Sequence, residues 1–173
     1  MSRAIAVFRT DAIVGEVEAI DHETYTHLCA TFTKLPSGPH GFHIHTAGDL
    51  RGEGCQGLCE HYDKGKHVHG DGPHSTKERH TGDLGNIVLR QGTKKITRHY
   101  DLKGVRVADL WGRSIIVHAD RDDLGKGKHT DSLITGHSGK RLGCALFGRV
   151  KAHHPTMRRR RTTGTRKAGS TGV

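Results

Sequence analysis

Positions 41–45 hold the sequence Gly41-Phe42-His43-Ile44-His45, in which two histidines stand two residues apart. Side chains alternate between the faces of a strand, so His43 and His45 project from one face and can bind the same metal ion. Three further histidines and a carboxylate follow, at His61, His69, His80 and Asp83. Imidazole suits both copper and zinc, and a carboxylate beside three imidazoles favours tetrahedral zinc. The segment therefore predicts two neighbouring metal sites.

A second strand supplies one more histidine to the first of these sites. The run Ser114-Ile115-Ile116-Val117-His118 is apolar and rich in β-branched residues. Such a run predicts a buried strand whose last side chain reaches the rim of the fold. His118 can therefore support His43 and His45 at one ion.

Composition predicts an all-β domain. The 173 residues include 24 glycines and show few long helical periods, which is typical of short strands joined by turns. Only 5% of the residues are aromatic, so we expect an aliphatic core. The predicted strands lie near residues 5–9, 14–20, 25–33, 40–45, 86–90, 95–101, 114–118 and 144–150. Two long loops, from His45 to Asp83 and from His118 to Leu142, carry most of the candidate ligands.

These motifs closely resemble those of copper/zinc superoxide dismutase over about residues 3–150. Besides the two strands above, the resemblance is carried by Gly54-Cys55, Arg79-His80-Thr81-Gly82-Asp83-Leu84-Gly85-Asn86, Asp122-Asp123-Leu124-Gly125-Lys126-Gly127 and Gly139-Lys140-Arg141-Leu142-Gly143-Cys144. It implies a Greek-key β-sandwich, or flattened eight-stranded barrel, with a metal-binding loop and an electrostatic loop. It also implies an oxidoreductase that converts superoxide to dioxygen and hydrogen peroxide by cycling copper(II) and copper(I).

The resemblance assigns a role to each residue of the site. Copper is expected at His43, His45, His61 and His118, and zinc at His61, His69, His80 and Asp83. His61 thus bridges both ions and takes up a proton during turnover. Asp122 is expected to accept N–H bonds from His43 and His69, which fixes their rings. Arg141 is expected beside the open copper position to attract the anion, with Thr135 on the opposite wall and a disulfide between Cys55 and Cys144.

Three residues leave alternatives open in this assignment. His67 stands two residues before His69 and offers zinc a competing ring. The resemblance favours His69, because His69-Gly70-Asp71-Gly72-Pro73 best matches the family's His-Gly-Gly-Pro and the distance from His61 preserves the family spacing. Cys59 is an extra thiol near Cys55 that can compete for the disulfide or for copper(I), although an inert thiol is the favoured state. Cys29 is expected to be a small buried apolar residue.

Partners and compartment are predicted less directly. The family pattern implies a homodimer, although Trp111 and Arg149 stand where its contact has small or apolar residues, and it admits a copper chaperone as partner. No segment approaches the length of a membrane span. The apolar run of residues 4–8 is too short for a signal-peptide core, so we expect a cytoplasmic protein.

Residues 151–173 form a basic segment beyond the domain of residues 1–150. The segment carries +7 without one acidic residue, which leaves +3 of the formal net charge of +10 for the rest of the chain. Its basic residues are Lys151, Arg158, Arg159, Arg160, Arg161, Arg166 and Lys167. Its composition predicts a disordered tail. The tail is a solvated extension, a targeting address, or a segment that binds nucleic acid or another polyanion through its charge. The last of these is compatible with a nuclear location.

Two other functions are compatible with this sequence. The fold can serve as a catalytically silent copper/zinc-binding protein, or as a carrier domain for a polyanion-binding tail. Arg141 and Asp122 favour turnover, because a bare copper store needs neither an anion-binding guanidinium nor a bridged pair of metals.

Overall fold

The computed structural model describes residues 1–51 and 53–150, so the predicted disordered tail lies outside the described residues. Nearly all of the regular structure is β. The strands are β1 (Arg3–Arg9), β2 (Val14–Asp21), β3 (Tyr25–Lys34), β4 (His40–His45), β5 (Asp83–Ile87), β6 (Ile96–Lys103), β7 (Ser114–His118), β8 (Arg141–Leu146) and β9 (Gly148–Arg149). Two single-turn helices, α1 (Val107–Leu110) and α2 (Ser132–Thr135), lie in the connections.

The strands form two antiparallel sheets. One sheet has the order β6-β3-β2-β1-β9 and the other the order β5-β4-β7-β8. The chain leaves the second sheet after β5 and returns with β7, which pairs with β4. The predicted all-β Greek-key sandwich is therefore confirmed, with the two long loops at the ends of β4 and β7.

Two predicted strands have different limits in the structure. The strand expected near residues 86–90 runs from Asp83 to Ile87, because Asp83 pairs with His43 of β4. The strand expected at residues 144–150 is divided into β8 and β9, which pair with different sheets, and this gives nine strands instead of eight. In each case, pairing with a distant strand sets the limit that local composition could not show.

The prediction of an aliphatic core is correct for most of the buried apolar side chains, but aromatic rings lie among them. All four phenylalanines are buried, namely Phe8, Phe32, Phe42 and Phe147. The Phe32 ring centroid lies 5.3 Å from that of Phe8 and 5.8 Å from that of Phe42. Sheets that pack face to face stand about 10 Å apart, and large rings fill the middle of such a gap. A low total of aromatic residues therefore does not exclude an aromatic centre.

Cys29 is also placed differently from its prediction. The burial of β3 alternates strictly, and Leu28 and Ala30 face the core. Cys29 consequently lies half-buried on the outer face of the five-stranded sheet, directly opposite His99 of β6.

Candidate metal centre

Four histidines meet where β4, β7 and the first long loop come together. Strand β4 directs His43 and His45 to one side while Phe42 and Ile44 enter the core. A register shift after Val117 re-aims His118 at the end of β7. His61 is held by an isolated bridge to the backbone of His45. One ligand nitrogen from each of His43, His45, His61 and His118 lies within 4.8 Å of the others.

Each ring in this group is oriented through its other nitrogen. The His43 Nε2–H donates to Asp122 Oδ2 at 2.8 Å, and the His45 Nδ1–H donates to the Cys59 carbonyl at 2.8 Å. His118 Nδ1 lies 3.3 Å from the Gly139 carbonyl. The remaining nitrogens face one another, with His45 Nε2 and His118 Nε2 3.4 Å apart. Such outer hydrogen bonds fix the tautomer of a metal ligand.

A second group converges on the carboxylate of Asp83, which is fully buried. Its Oδ1 atom lies 2.7 Å from His61 Nδ1, 3.1 Å from His69 Nδ1 and 3.4 Å from His80 Nδ1. Its Oδ2 atom accepts the backbone N–H groups of Gly70 and His80. His61 therefore stands between the two groups and presents one ring nitrogen to each.

The structure brings His69, and not His67, to this group. The His67 ring is partly exposed and lies 2.9 Å from Asp63 through Nδ1. The His69 ring is buried, with Nε2 2.8 Å from Asp122 Oδ1.

Burial and charge place these imidazoles in different protonation states. Burial, with the neighbouring rings, lowers the pKa of His61 to about 3 and that of His118 to about 2, and it also lowers the pKa of His45. Burial opposes a charge on His69 as well, but the carboxylates of Asp122 and Asp83 raise its pKa to about 9. His45, His61 and His118 are thus neutral at pH 7, whereas a cation is favoured between the two carboxylates beside His69.

Orphaned nitrogens show that the two groups fit metal ions. Among the described residues, four buried imidazole nitrogens lack a hydrogen-bond partner: His43 Nδ1, His61 Nε2, His69 Nδ1 and His80 Nδ1. His69 Nδ1 and His80 Nδ1 lie near Asp83 Oδ1 without making a hydrogen bond to it, so all four nitrogens keep a lone pair that can bind a metal ion. A buried polar atom without a hydrogen bond costs about 1–3 kcal/mol, which a bound ion would offset. A four-imidazole set suits copper, and three imidazoles with one carboxylate suit zinc.

Two residues that the sequence analysis gave no role support this centre. Asn86 donates its side-chain N–H to the Asp122 carbonyl and accepts the Asp122 backbone N–H, each at 2.8 Å. Gly136 has a φ of 67° and lies so close to Asp122 and His69 that a Cβ there would overlap both. Asn86 is the last residue of the motif that begins at Arg79, so the sequence resemblance could have indicated its role. Gly136 had no local signal.

A cavity of about 540 Å³ opens above the first group. Its lining residues include His45, His61, His118, Thr135 and Arg141. The Arg141 guanidinium donates to the carbonyls of Cys55 and Cys59, at 2.6 Å each. Arg141 is therefore positioned by the segment that the Cys55–Cys144 disulfide ties to β8.

Cys59 occupies a backbone conformation that favours glycine. Its φ is 58° and its ψ is −153°. In this conformation its carbonyl accepts hydrogen bonds from the side chains of His45 and Arg141. A non-glycine residue in this region costs about 1–3 kcal/mol. Both hydrogen bonds are made by the backbone carbonyl and need no side chain. The steric strain arises because the residue has a Cβ atom.

We expect Cys59→Gly to stabilise the protein. Relief of strain exceeds the entropic cost of a glycine, and the net gain in the free energy of unfolding is expected to be about 1 kcal/mol. Chemical denaturation measures it. Cys59→Ala is the matched control, because it removes the thiol but keeps the Cβ atom. Equal stability of the two variants would contradict the argument from strain.

Comparison with known proteins agrees with this geometry. The family described as copper/zinc superoxide dismutase (SODC) matches residues 13–147. The chain belongs to that family. The superoxide dismutase (Cu-Zn) of Paramecium bursaria Chlorella virus 1 is 42% identical over 151 residues, which cover 86% of this chain and 79% of that protein.

Two further relatives extend the comparison. Superoxide dismutase (Cu-Zn) 3 of Arabidopsis thaliana is 42% identical over 152 residues, covering 84% of this chain and 90% of that protein. The crystal structure of the clock protein EA4 is similar with a TM-score of 0.75 and 35% identity, covering 86% of this chain and 94% of that chain. Within residues 1–51 and 53–150, no helix has the length and apolar character needed to cross a bilayer.

Proposed function

We propose that this chain converts two superoxide anions and two protons to dioxygen and hydrogen peroxide. The observation that carries the proposal is the cavity that joins the free nitrogens of the four-histidine group to Arg141. Copper bound by His43, His45, His61 and His118 would supply the one-electron chemistry. Zinc would be held by His61, His69, His80 and Asp83, where it has no redox role.

The chain's own residues account for capture of the anion and for proton delivery. Arg141 places a fixed positive charge on the cavity wall, where a small anion can accept hydrogen bonds from its N–H groups. Thr135 lines the same cavity, and its hydroxyl donates a hydrogen bond to Asp131. His61 Nε2 faces the copper group while Nδ1 lies 2.7 Å from Asp83. A proton at His61 Nε2 therefore stands where the peroxide must be protonated.

Superoxide decay tests this proposal directly. Protein loaded with copper and zinc should remove superoxide far faster than free dismutation, by stopped-flow absorbance, and apoprotein should not. A silent metal-binding protein would hold both ions without accelerating decay, and that result would reject the proposal.

We expect Arg141→Ala to slow superoxide decay by about tenfold or more, because steering by a fixed charge is worth 10- to 1,000-fold in association rate. Both metals should stay bound, since Arg141 contacts carbonyls and no ligand ring. The remaining rate should depend less on ionic strength. Arg9→Ala, which removes an exposed charge from β1, is the control. If Arg141→Ala kept the parental rate and salt response, the guidance role would be wrong.

We also propose a cytoplasmic homodimer. Family membership supports the dimer, although Arg149 lies over the Trp111 ring at 4.0 Å and so covers part of the expected contact. Cys59 is an exposed free thiol, which persists best in a reducing compartment. A copper chaperone would supply the metal there. Sedimentation velocity and cell fractionation test the dimer and the compartment.

Residues 151–173 are proposed to bind nucleic acid or another polyanion without reading its sequence. Their +7 charge supports this. Deleting them should leave metal content and superoxide decay unchanged. The full chain should retain DNA at low salt and lose it steeply as salt rises, because counterion release drives such binding. Equal retention of the truncated and full chains would contradict polyanion binding and leave the tail as a solvated extension or a receptor-read address.

A further inference from the structure

A second group of histidines lies outside the buried centre, on the outer face of the five-stranded sheet. His27 of β3 and His99 of β6 stand on neighbouring strands, with His27 Nε2 3.1 Å from His99 Nδ1. His27 Nδ1–H donates to Asp101 Oδ1 at 2.6 Å. His99 is exposed and the His27 side chain is 29% exposed, so solvent ions reach both rings.

We propose that His27 and His99 form a surface site for a divalent transition-metal ion, separate from the buried copper and zinc groups. The site would prefer Cu²⁺ over Zn²⁺ or Ni²⁺, as neutral imidazole donors generally do. Water completes the coordination. The proposal does not depend on the conversion of superoxide.

The distance between the two nitrogens suits one ion. Metal–nitrogen bonds of about 2.0–2.1 Å that meet at angles of about 90–109° place the nitrogens about 2.8–3.4 Å apart. The separation of 3.1 Å between His27 Nε2 and His99 Nδ1 falls in this range. Little movement of either strand is needed, because the pairing of β3 with β6 already sets the distance.

Asp101 prepares His27 for this role. A carboxylate only accepts hydrogen bonds, so the neutral His27 ring carries its proton on Nδ1 and exposes a lone pair at Nε2. Without metal, the His99 Nδ1–H satisfies that lone pair. On binding, the ion replaces this proton, and the neutral His99 ring carries its proton on Nε2 instead. A carboxylate that holds a ligating histidine through its other nitrogen is the usual support of such sites.

Neighbouring side chains offer further donors. The free thiol Cys29 lies directly opposite His99 across the two strands, where paired Cβ atoms are about 4.5–5.5 Å apart. The His22 ring lies 6.2 Å from that of His27 between centroids. Softer ions, for which thiolate is the better ligand, would draw Cys29 into the site.

Calorimetric titration with Zn²⁺ tests the site on the full chain already loaded with copper and zinc. The parent should bind one Zn²⁺ more than His27→Gln or His99→Gln. Asp101→Asn should weaken this binding about 10- to 100-fold, and Asp101→Glu should restore part of it. His129→Gln, which removes an exposed imidazole from the loop before α2, should bind as the parent does. The tail histidines His153 and His154 remain in every variant and so cancel in the comparison.

The same variants separate this site from the buried centre. Superoxide decay and thermal stability should stay at the parental level in His27→Gln and His99→Gln, because neither ring contacts the buried groups. Zn²⁺ uptake by both variants with the parental stoichiometry and affinity would overturn the proposal. An unchanged affinity in Asp101→Asn would overturn the positioning role of Asp101.

Discussion

Replacing His118 with alanine is expected to lower superoxide decay at least about a thousandfold while zinc stays bound. His118 takes part in the four-histidine group only, and its Nε2 lies 3.4 Å from His45 Nε2. Its removal leaves three imidazoles and opens the cavity, so copper is lost or held in a different geometry. Asp83, His69 and His80 do not contact the deleted ring. Metal analysis by mass spectrometry, together with stopped-flow decay, measures both effects.

His80→Ala is the matched control for this prediction. His80 lies 3.4 Å from Asp83 Oδ1 through Nδ1, on the other side of His61. We expect it to lose zinc and stability first, and to keep copper in a less well oriented site. If His118→Ala lost zinc as fully as His80→Ala, the division into two groups would be wrong.

Among the variants considered, the one that lacks the disulfide is expected to lose the most free energy of unfolding. The bond joins Cys55 to Cys144 across 89 residues, and a loop of that length corresponds to about 4–5 kcal/mol in the chain-entropy account. The double variant Cys55→Ala/Cys144→Ala should therefore unfold at a clearly lower denaturant concentration. The double change also prevents Cys59 from pairing with a cysteine left behind.

The rate of superoxide decay should also decrease when the disulfide is removed, although no metal ligand is replaced. The segment that carries Cys55 positions Arg141 through the carbonyls of Cys55 and Cys59. A loosened segment would let the guanidinium move, so the rate and its salt dependence should both decrease. Cys29→Ala is the control, because it removes a half-buried thiol that forms no disulfide. A loss of stability no greater than in Cys29→Ala would exclude the structural role of the bond.

The sequence by itself determined the ligand types and the strands that carry them. His43 and His45 share a face because side chains alternate along a strand, and the β-branched run before His118 buries that strand. These are local properties, which spacing expresses directly. The resemblance to the family then supplied the pairing of Cys55 with Cys144 and the roles of Asp122 and Arg141.

Only the tertiary structure decided which atoms meet. The hydrogen bond between His43 and Asp122 joins residues 79 positions apart in the sequence. The placement of His69, and not His67, beside Asp83 depends on the path of the loop between them. The limits of β5, the phenylalanine centre and the close approach of Gly136 to Asp122 likewise follow from packing between distant segments. His27 and His99 lie 72 positions apart and meet only through the register of β3 with β6. Sequence spacing cannot encode such contacts, because they depend on strand pairing and loop closure across the whole domain.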